Sequence, residues 1–382
     1  MKAGWQVRKF GEVCELKKGK KPALSAAPAN GYRPYLVAKY LRGAEPVEFA
    51  SVSDKNSISV GQHEIIIICD GSNSGETFIG FDGILSSTMA KVAHGAELDN
   101  KFLMHFLDSL FEQFNAGKTG SAIPHLDLPA LRDQNLPVPP LPEQQRIVGI
   151  LDDAFDGIAT AKDNAEQNLQ NARALFESHL QSVFTQRGEG WVEKKLSDVC
   201  AITSTLVDPR KKEFLDLTHV GAGNIESQTG VFVDLKTARE EGLISGKFLF
   251  DDSMVLYSKI RPYLMKVARP NFNGLCSADM YPLAPLSNEI TRDYLFHLLL
   301  SKSFTDYAIQ GSARAGMPKV NREHLFEYRT WLPDVKVQKK LTAQLDALHE
   351  ETQRLQSLYQ RKLAALDELK KSLLHQAFSG AL

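Results

Sequence analysis

The chain has 382 residues, with the composition of an ordinary globular protein: 43% are hydrophobic and 24% are charged. No apolar run reaches the ~18 residues that a membrane-spanning helix needs, and the N-terminus lacks the apolar segment of a signal peptide. We therefore expect a cytoplasmic protein. The net charge of −1 gives no general sign of nucleic-acid binding, but residues 1–42 contain ten basic and two acidic residues. This uneven distribution allows a face that binds a polyanion.

The cysteine pattern argues against a metal site. The four cysteines are Cys14, Cys69, Cys200 and Cys276, and they are far apart in the chain. Zinc sites need closely spaced ligands, so we expect no metal site. Free cysteine behaves as a small hydrophobic residue, and the pattern therefore favours four buried, reduced thiols.

The strongest pattern in the sequence is an internal duplication. Residues 4–14 are similar to residues 190–200 at a constant offset of 186, and both segments end in a cysteine. From Pro124 and Pro318 onward the offset is 194, without interruption over some sixty residues. The period is too long for a solenoid. The duplication instead indicates two globular domains, each followed by a long uninterrupted element.

This long element is predicted to be a helix in both halves. Residues 144–185 contain no proline, and their apolar or small residues recur at steps of three and four, close to heptad spacing. About 35 helical residues make a rod of ~50 Å. The positions predicted to pair the two helices are Ile147, Leu151, Ala154, Ile158, Leu345, Leu348, Leu355 and Leu366.

We expect the two helices to form an antiparallel coiled coil. One stripe is rich in alanine and the other in leucine, and a pseudo-two-fold axis between equivalent halves requires the antiparallel direction. The alternative is that each helix packs only on its own globular domain. The predicted fold class is α+β, with two tandem α/β domains joined by two long helices. The predicted bounds are 1–143 and 187–336 for the domains, and 144–186 and 337–382 for the helices.

The start of the first helix resembles a known family. Residues 138–147 read Val-Pro-Pro-Leu-Pro-Glu-Gln-Gln-Arg-Ile, as in the specificity subunits of Type I restriction–modification systems. Residues 71–75 with Ser86-Ser87, and residues 255–264, are similar to further parts of the same family pattern. The second helix start departs from the pattern but keeps Pro333 and Gln338. The resemblance covers essentially the whole chain.

This resemblance implies a DNA reader without a catalytic centre. Each domain would be a target-recognition domain for one half of a split double-stranded DNA site, and the helices would fix the gap between the halves. The helices would also dock two modification subunits. Those partners would bind S-adenosylmethionine and methylate adenine, and a restriction subunit would bind ATP and Mg²⁺. The host would be bacterial or archaeal.

Two alternatives to this interpretation remain open. One is a methyltransferase or nuclease carried by this chain alone. The only Pro-Pro pair, Pro139-Pro140, lacks the flanking Asn or Asp and the aromatic residue that hold a flipped base. Gly117-Lys118-Thr119 is similar to the end of a phosphate-binding loop, but Glu112 stands where that loop needs a glycine. The second alternative is a coiled-coil adaptor that does not touch DNA.

The side chains predicted to contact DNA lie in basic or glycine-rich segments. The basic loop 17–21 and the glycine-rich loops suit phosphates, Asn73 can pair with adenine, and Arg261 can pair with guanine. The alternatives are a solvated basic loop, a structural Asx turn and a salt-bridged arginine. The predicted DNA-binding residues are Lys18, Lys20, Lys21, Ser72, Asn73, Ser74, Lys118, Ser121, Lys259, Arg261, Arg314 and Lys319.

Overall fold

The structure is a computed structural model that describes residues 4–115, 125–286, 288–312 and 317–382. Contacts divide the chain into two compact units. Unit 1 is Met1–Glu166 with Arg361–Leu382, and unit 2 is Gln167–Gln360. Each unit therefore contains one globular domain and a part of both long helices, whereas the bounds predicted from the sequence give each helix a segment of its own. Among the described residues no helix is both long enough and apolar enough to cross a membrane.

The described part of unit 1 forms three sheets. Strands β2-β10-β7-β8 make an antiparallel sheet, β3-β5-β4-β9-β6 make a mixed sheet, and β1 pairs with β11. All four residues of β7 are buried isoleucines, as expected for a strand that is covered on both faces. The strands are β1 Gln6–Lys9, β2 Cys14–Lys18, β3 Leu24–Ser25, β4 Tyr32–Leu36, β5 Phe49–Ser51, β6 Ser59–Val60, β7 Ile65–Ile68, β8 Thr77–Phe78, β9 Gly83–Leu85, β10 Met89–His94 and β11 Asn135–Val138.

Short helices cover these sheets. The side chain of Asp99 accepts hydrogen bonds from the backbone N–H groups of Lys101 and Phe102, and so caps the first turn of α3. Asp127 caps α5 in the same way, through the N–H of Ala130. The short helices are α1 Phe10–Val13, α2 Ala38–Leu41, α3 Asn100–Ser109, α4 Phe111–Asn115 and α5 Leu128–Arg132.

Unit 2 repeats the topology of unit 1 except for one edge strand. Strands β13-β21-β18-β19 and β14-β17-β20-β15-β16 correspond to the two larger sheets of unit 1, and β12 pairs with β22 as β1 does with β11. The difference is β14, which pairs with β17, whereas its counterpart β3 lies at the opposite edge of its sheet and pairs with β5. The duplication predicted from the sequence is thus confirmed. The elements are β12 Val192–Lys195, α7 Leu196–Val199, β13 Cys200–Ala201, β14 Leu206–Val207, β15 Thr218–Val220, β16 Lys236–Thr237, β17 Lys247–Phe250, β18 Val255–Ser258, β19 Val267–Ala268, β20 Gly274–Cys276, β21 Met280–Pro285, α8 Arg292–Leu300, α9 Lys302–Gln310, α10 Arg322–Phe326 and β22 Arg329–Leu332, with 3-10 turns at Ala222–Asn224 and Pro262–Leu264.

The long helices are α6 Leu141–Thr185 and α11 Val335–Ser379, each of 45 residues. Both begin slightly before the starts predicted from the sequence. In α6 the reason is Pro142, which lies in the first turn, where its missing N–H has no acceptor to lose.

The two long helices pack against each other within unit 1. Ile147 and Leu151 of α6 share a buried cluster with Leu374 and Ala377 of α11, and Phe102 of α3 joins it. The predicted pairing of the helices is therefore confirmed, and α6 also packs on α3 of its own domain. The ion pair between Lys162 and Asp367, and the hydrogen bond from Arg146 to the carbonyl of Leu382, follow opposite orders along the helices. The two segments are antiparallel.

A second helix contact lies within unit 2. Phe176, Leu180 and Val183 of α6 share a core cluster with Leu345 of α11, and the Phe176 and His349 rings lie 4.8 Å apart. Of the eight predicted pairing positions, four are buried and four are half-buried. The buried positions are Ile147, Leu151, Ile158 and Leu345, and the half-buried ones are Ala154, Leu348, Leu355 and Leu366.

Candidate nucleic-acid interface

The basic segment of unit 1 starts on a strand. Lys18 is the last residue of β2, and its backbone pairs with Ala90 of β10. The expectation of a loop over residues 17–21 is therefore wrong for residues 17 and 18, which lie on the strand. The Nζ atom of Lys18 lies 3.0 Å from Asp70 Oδ2, just beyond β7. Lys20 and Lys21 follow the strand, and both are exposed.

A glycine fixes the path of this segment. Gly19 is buried, and a Cβ atom there would lie 2.0 Å from the carbonyl oxygen of Ser86. Its own N–H donates to the carbonyl of Met89 at 2.9 Å. The lysines on either side of Gly19 are thereby held against the segment Ser86-Ser87, the other part of the family pattern in this half.

Asp70 organises the end of β7. His125 Nδ1 lies 2.8 Å from Asp70 Oδ1, and the two residues also form an isolated β-bridge. Burial alone would raise the pKa of the Asp70 carboxyl, but the hydrogen bonds from His125 and Lys18 outweigh burial and lower it. Asp70 is therefore a carboxylate that holds two basic side chains at the edge of the sheet.

The serine–asparagine turn lies where the sequence predicted, directly after β7. Gly71 and Gly75 have φ values of +119° and +99°, which only glycine adopts easily. Ser72 is exposed and Asn73 is half-buried, with its Nδ2 atom 3.4 Å from Glu76.

Ser74 differs from its neighbours in this turn. It is fully buried, because the turn folds down onto α4, where the Asn115 side chain donates to the Ser74 carbonyl at 2.9 Å. The predicted DNA contact by the Ser74 side chain is therefore wrong for this conformation.

Unit 2 brings together two lysines that the sequence predicted separately. Lys259 Nζ lies 3.9 Å from Asp279 Oδ1, and Lys319 Nζ lies 3.5 Å from the same oxygen. The Lys259 side chain also lies over the ring of Tyr281 at 5.1 Å and is only 13% exposed. Burial lowers the pKa of Lys259, and the positive charges of Lys319 and Arg322 add to this effect. Lys319 is thus the more accessible of the two lysines.

Arg261 is an exposed predicted reader in unit 2. It is the third residue after β18, as Gly71 is after β7, and its φ of +49° lies in the left-handed region. The backbone N–H of Arg261 donates to the carbonyl of Pro318 at 2.9 Å. Within the described ranges its guanidinium has no hydrogen-bond or ion-pair partner. The guanidinium therefore faces solvent with its donors available.

A family model matches both halves of the chain. The model of the Type I restriction modification DNA specificity domain matches residues 2–171 and again residues 188–360. The chain belongs to this family. The two matched segments fall one on each copy of the duplicated domain, so both copies are specificity domains.

The chain is similar to two curated specificity subunits, and each match covers most of the relative's length. The chain is 27% identical over 411 residues to the Type I restriction enzyme EcoDI specificity subunit from Escherichia coli, covering 99% of this chain and 88% of the relative. It is 26% identical over 421 residues to the Type I restriction enzyme MjaVIII specificity subunit from Methanocaldococcus jannaschii, covering 99% and 93%.

Solved structures share the fold. A chain from a structural study of complex assembly and conformational transition of the type I R-M system superposes with a TM-score of 0.75 at 18% identity, covering 100% of this chain and 99% of the other. The HsdS subunit from Thermoanaerobacter tengcongensis gives a TM-score of 0.59, also at 18% identity, with 100% and 98% covered. The tandem architecture predicted from the sequence is confirmed.

Some residues that organise the candidate interface were not predicted from the sequence. Asp70 and Asp279 are the acidic partners of the predicted lysines, and His125 is a second partner of Asp70. One signal was available: His125 and Lys319 differ by the repeat offset of 194. Both form isolated β-bridges at the same place in the topology, with Asp70 and Ile260 respectively.

Three predicted DNA-binding residues lie outside the described residues. They are Lys118, Ser121 and Arg314. Their contacts with DNA stay predictions.

The cysteines occupy the cores of both specificity domains. All four are free and buried, which confirms the interpretation from the sequence. Burial raises the pKa of Cys14, Cys200 and Cys276 to about 12 and that of Cys69 to about 11. In the described part of the chain, no group of three His, Cys, Asp or Glu side chains could hold a metal ion.

Proposed function

We propose that this chain is the DNA-specificity subunit of a Type I restriction–modification complex, and that each specificity domain reads one half of a split DNA site. The observation that carries the proposal is the duplication itself. Two specificity domains with the same sheets, which differ only in the place of one edge strand, stand in tandem, and each is followed by a helix of 45 residues. One recognition module per half-site is the simplest use of such a chain.

The reading face of each domain would be the sheet edge described above. Lys20 and Lys21 are exposed and suit phosphates, which supply affinity and register. Asn73 and Arg261 carry the donors that pair with adenine and guanine in the major groove. Lys319, beside Asp279, suits a backbone phosphate near the Arg261 contact.

The long helices would set the gap between the half-sites and dock two modification subunits. In this proposal the chain itself is not catalytic. The modification subunits bind S-adenosylmethionine and methylate adenine, and the restriction subunit uses ATP and Mg²⁺. A complex that modifies the DNA of its bacterial or archaeal host works in the cytoplasm.

Methylation mapping tests this proposal. The chain is co-expressed with the modification subunit from its own gene cluster, and modified adenines are mapped on plasmid DNA. We expect methylation at one split motif, which disappears when this chain is omitted. Methylation that persists without the chain, or that the chain carries out alone, contradicts the proposal.

A further inference from the structure

Each specificity domain is fastened to its long helix by a buried histidine–aspartate pair. In unit 1, His105 Nε2 on α3 lies 2.9 Å from Asp152 Oδ1 on α6. In unit 2, His297 Nε2 on α8 lies 2.8 Å from Asp346 Oδ1 on α11. The histidines are 4% and 0% exposed. The same bond thus occurs at the same place in both halves.

The geometry makes Nε2 of each histidine the donor to its aspartate. The Nδ1 atoms of His105 and His297 are buried, and neither has a partner among the described residues. A proton on Nδ1 would be an unsatisfied buried donor, so the ring carries its proton on Nε2 and donates it to the carboxylate. Burial lowers the pKa of His297, which keeps that ring neutral near pH 7.

Each aspartate also takes a basic side chain from its domain. Lys101 Nζ lies 2.6 Å from Asp152 Oδ2. In unit 2 the partner is Arg269, whose guanidinium contacts both oxygens of Asp346 at 2.9 and 3.2 Å. Two donors from different directions on one carboxylate restrict rotation of the domain about the helix more than a single bond does.

A glutamine makes a second attachment in unit 1, two turns earlier on the helix. Gln144 is fully buried, and its Oε1 accepts from the N–H of Asp99, the residue that caps α3, at 2.8 Å. Its Nε2 donates to the carbonyls of Glu97 and Pro139, both at 2.8 Å. Gln144 and Asp152 are ~12 Å apart along the helix axis, at 1.5 Å per residue.

The glutamine attachment is repeated in unit 2. Gln338 Oε1 accepts from the N–H of Thr291, which caps α8, at 2.9 Å. Its Nε2 donates to the carbonyls of Glu289 and Pro333 at 2.8 and 2.9 Å. Two separated points of attachment on each helix define one orientation of the domain.

Folding alone does not require the ionic part of this arrangement. The ion pairs to Lys101 and Arg269 are partly exposed and contribute little net stability, whereas they restrict the geometry of the contact. The helix–domain contact already has an apolar cluster, with Phe102 beside Ile147 and Leu151 in unit 1. The polar attachment therefore adds orientation to a contact that apolar packing already stabilises.

We infer that His105–Asp152 and His297–Asp346 are positioning pairs, which fix the rotation of each specificity domain on its helix and thereby the gap length that the complex accepts. The inference rests on the proposed function. In B-DNA, one added base pair turns a half-site by about 34° and moves it by ~3.4 Å, since a turn has ~10.5 base pairs and is ~34–36 Å long. If a domain can rotate on its helix by a fraction of that angle, the complex also accepts DNA whose gap is one base pair longer or shorter.

The test uses the full complex and a set of DNAs that share both half-sites but differ in gap length by one base pair. The variant H105L/H297L removes both donors and keeps apolar bulk, whereas H105Q/H297Q keeps a donor near the Nε2 position. The matched control is E351Q, which breaks an exposed ion pair within α11 between Glu351 and Arg354.

We expect the leucine variant also to methylate DNAs whose gap is one base pair longer or shorter. The preference for the correct gap should fall about tenfold for each of the two domains, since each loses one charge-assisted hydrogen bond. The sequence read at each half-site should stay unchanged. The glutamine variant and E351Q should keep the wild-type preference. A folded leucine variant with the wild-type gap preference overturns the inference, and so does a changed half-site sequence.

A second pair of variants covers failure of the leucine variant to fold. The Asp152 and Asp346 side chains are 32% and 38% exposed, so D152A and D346A remove the acceptor without leaving a buried charge on the helix. Unchanged gap preference in both overturns the inference, and a relaxed preference supports it. A wild-type complex that methylates no split site would instead contradict the proposed function.

Discussion

At the residue scale, Arg261 combines a costly backbone conformation with an available side chain. Its φ of +49° lies in the left-handed region, which costs a non-glycine residue about 1 kcal/mol or more. Gly71 holds the corresponding position after β7 in the first domain, and its positive φ of +119° carries no such cost for glycine. Strain of this kind is retained where the side chain has a use, and an exposed guanidinium beside Lys319 suits contact with DNA.

The substitution R261G separates these two properties. It relieves the backbone strain, so the free energy of unfolding should not fall, whereas DNA binding by the assembled complex should weaken by about 1–3 kcal/mol if Arg261 contacts a base. Binding titrations at several salt concentrations, together with urea unfolding, measure both. The control is R354A, on the exposed face of α11. Loss of stability without loss of DNA binding would show that Arg261 is structural.

The buried histidines predict how stability depends on pH. Burial lowers the pKa of His219, His297 and His349 below the ordinary value of 6.5. The unfolded chain therefore binds protons more readily than the folded chain does. Stability is complete above pH 6.5 and falls as the pH drops below it, by at most about 1.4 kcal/mol per pH unit for each histidine. Urea unfolding at pH 7.5 and 5.5 should show this decrease, and H297L should reduce it. Equal stability at both pH values would contradict the buried, neutral state.

Individual long-range partners were the part of the site that the sequence could not predict. Lys18 belongs to a basic run, but its ion pair with Asp70 depends on β2 and β7 lying in the same sheet. Ser74 lies in a segment with the composition of an exposed turn, but the turn packs onto α4 and buries the Ser74 side chain. The residue types indicated the correct segments of the chain, whereas tertiary packing decides which of their side chains are accessible.

At the element scale, the helices were predictable because their signals are local. The proline-free run and the repeated apolar steps indicated the long helices before any contact was known. The predicted helix starts at residue 144 and so leaves out the first turn of α6, where Pro142 is tolerated. The short strands are less local, since several of them have only two residues and depend on their neighbours in the sheet.

The buried glutamines at the helix starts predict a matched loss of stability in both halves. Gln144 and Gln338 each make three hydrogen bonds to backbone groups. Q144A or Q338A leaves buried backbone groups without partners, and each unsatisfied group costs about 1–3 kcal/mol. Chemical denaturation should show a comparable decrease for the two variants. The control is Q145A, an exposed neighbour on α6. A loss under 0.5 kcal/mol, far below that cost, would mean that these bonds do not fasten the helix.

At the scale of the whole molecule, most of the predictions from the sequence came from the internal duplication. One alignment of the chain with itself gave two domains, two helices and their order, and the strand orders of both units confirm it. The DNA sequence that each half would read was not predictable. Base readout depends on a few side chains in loops where the two copies differ, as Gly71 and Arg261 do.

The central claim is that each half of the chain reads one half of a split DNA site. The most direct measurement replaces residues 1–137 with the corresponding domain of another family member and maps methylated adenines in the reconstituted complex. We expect one half of the methylated motif to change, with the other half and the gap unchanged. A motif that changes in both halves, or in neither, would contradict the assignment of one half-site to each domain.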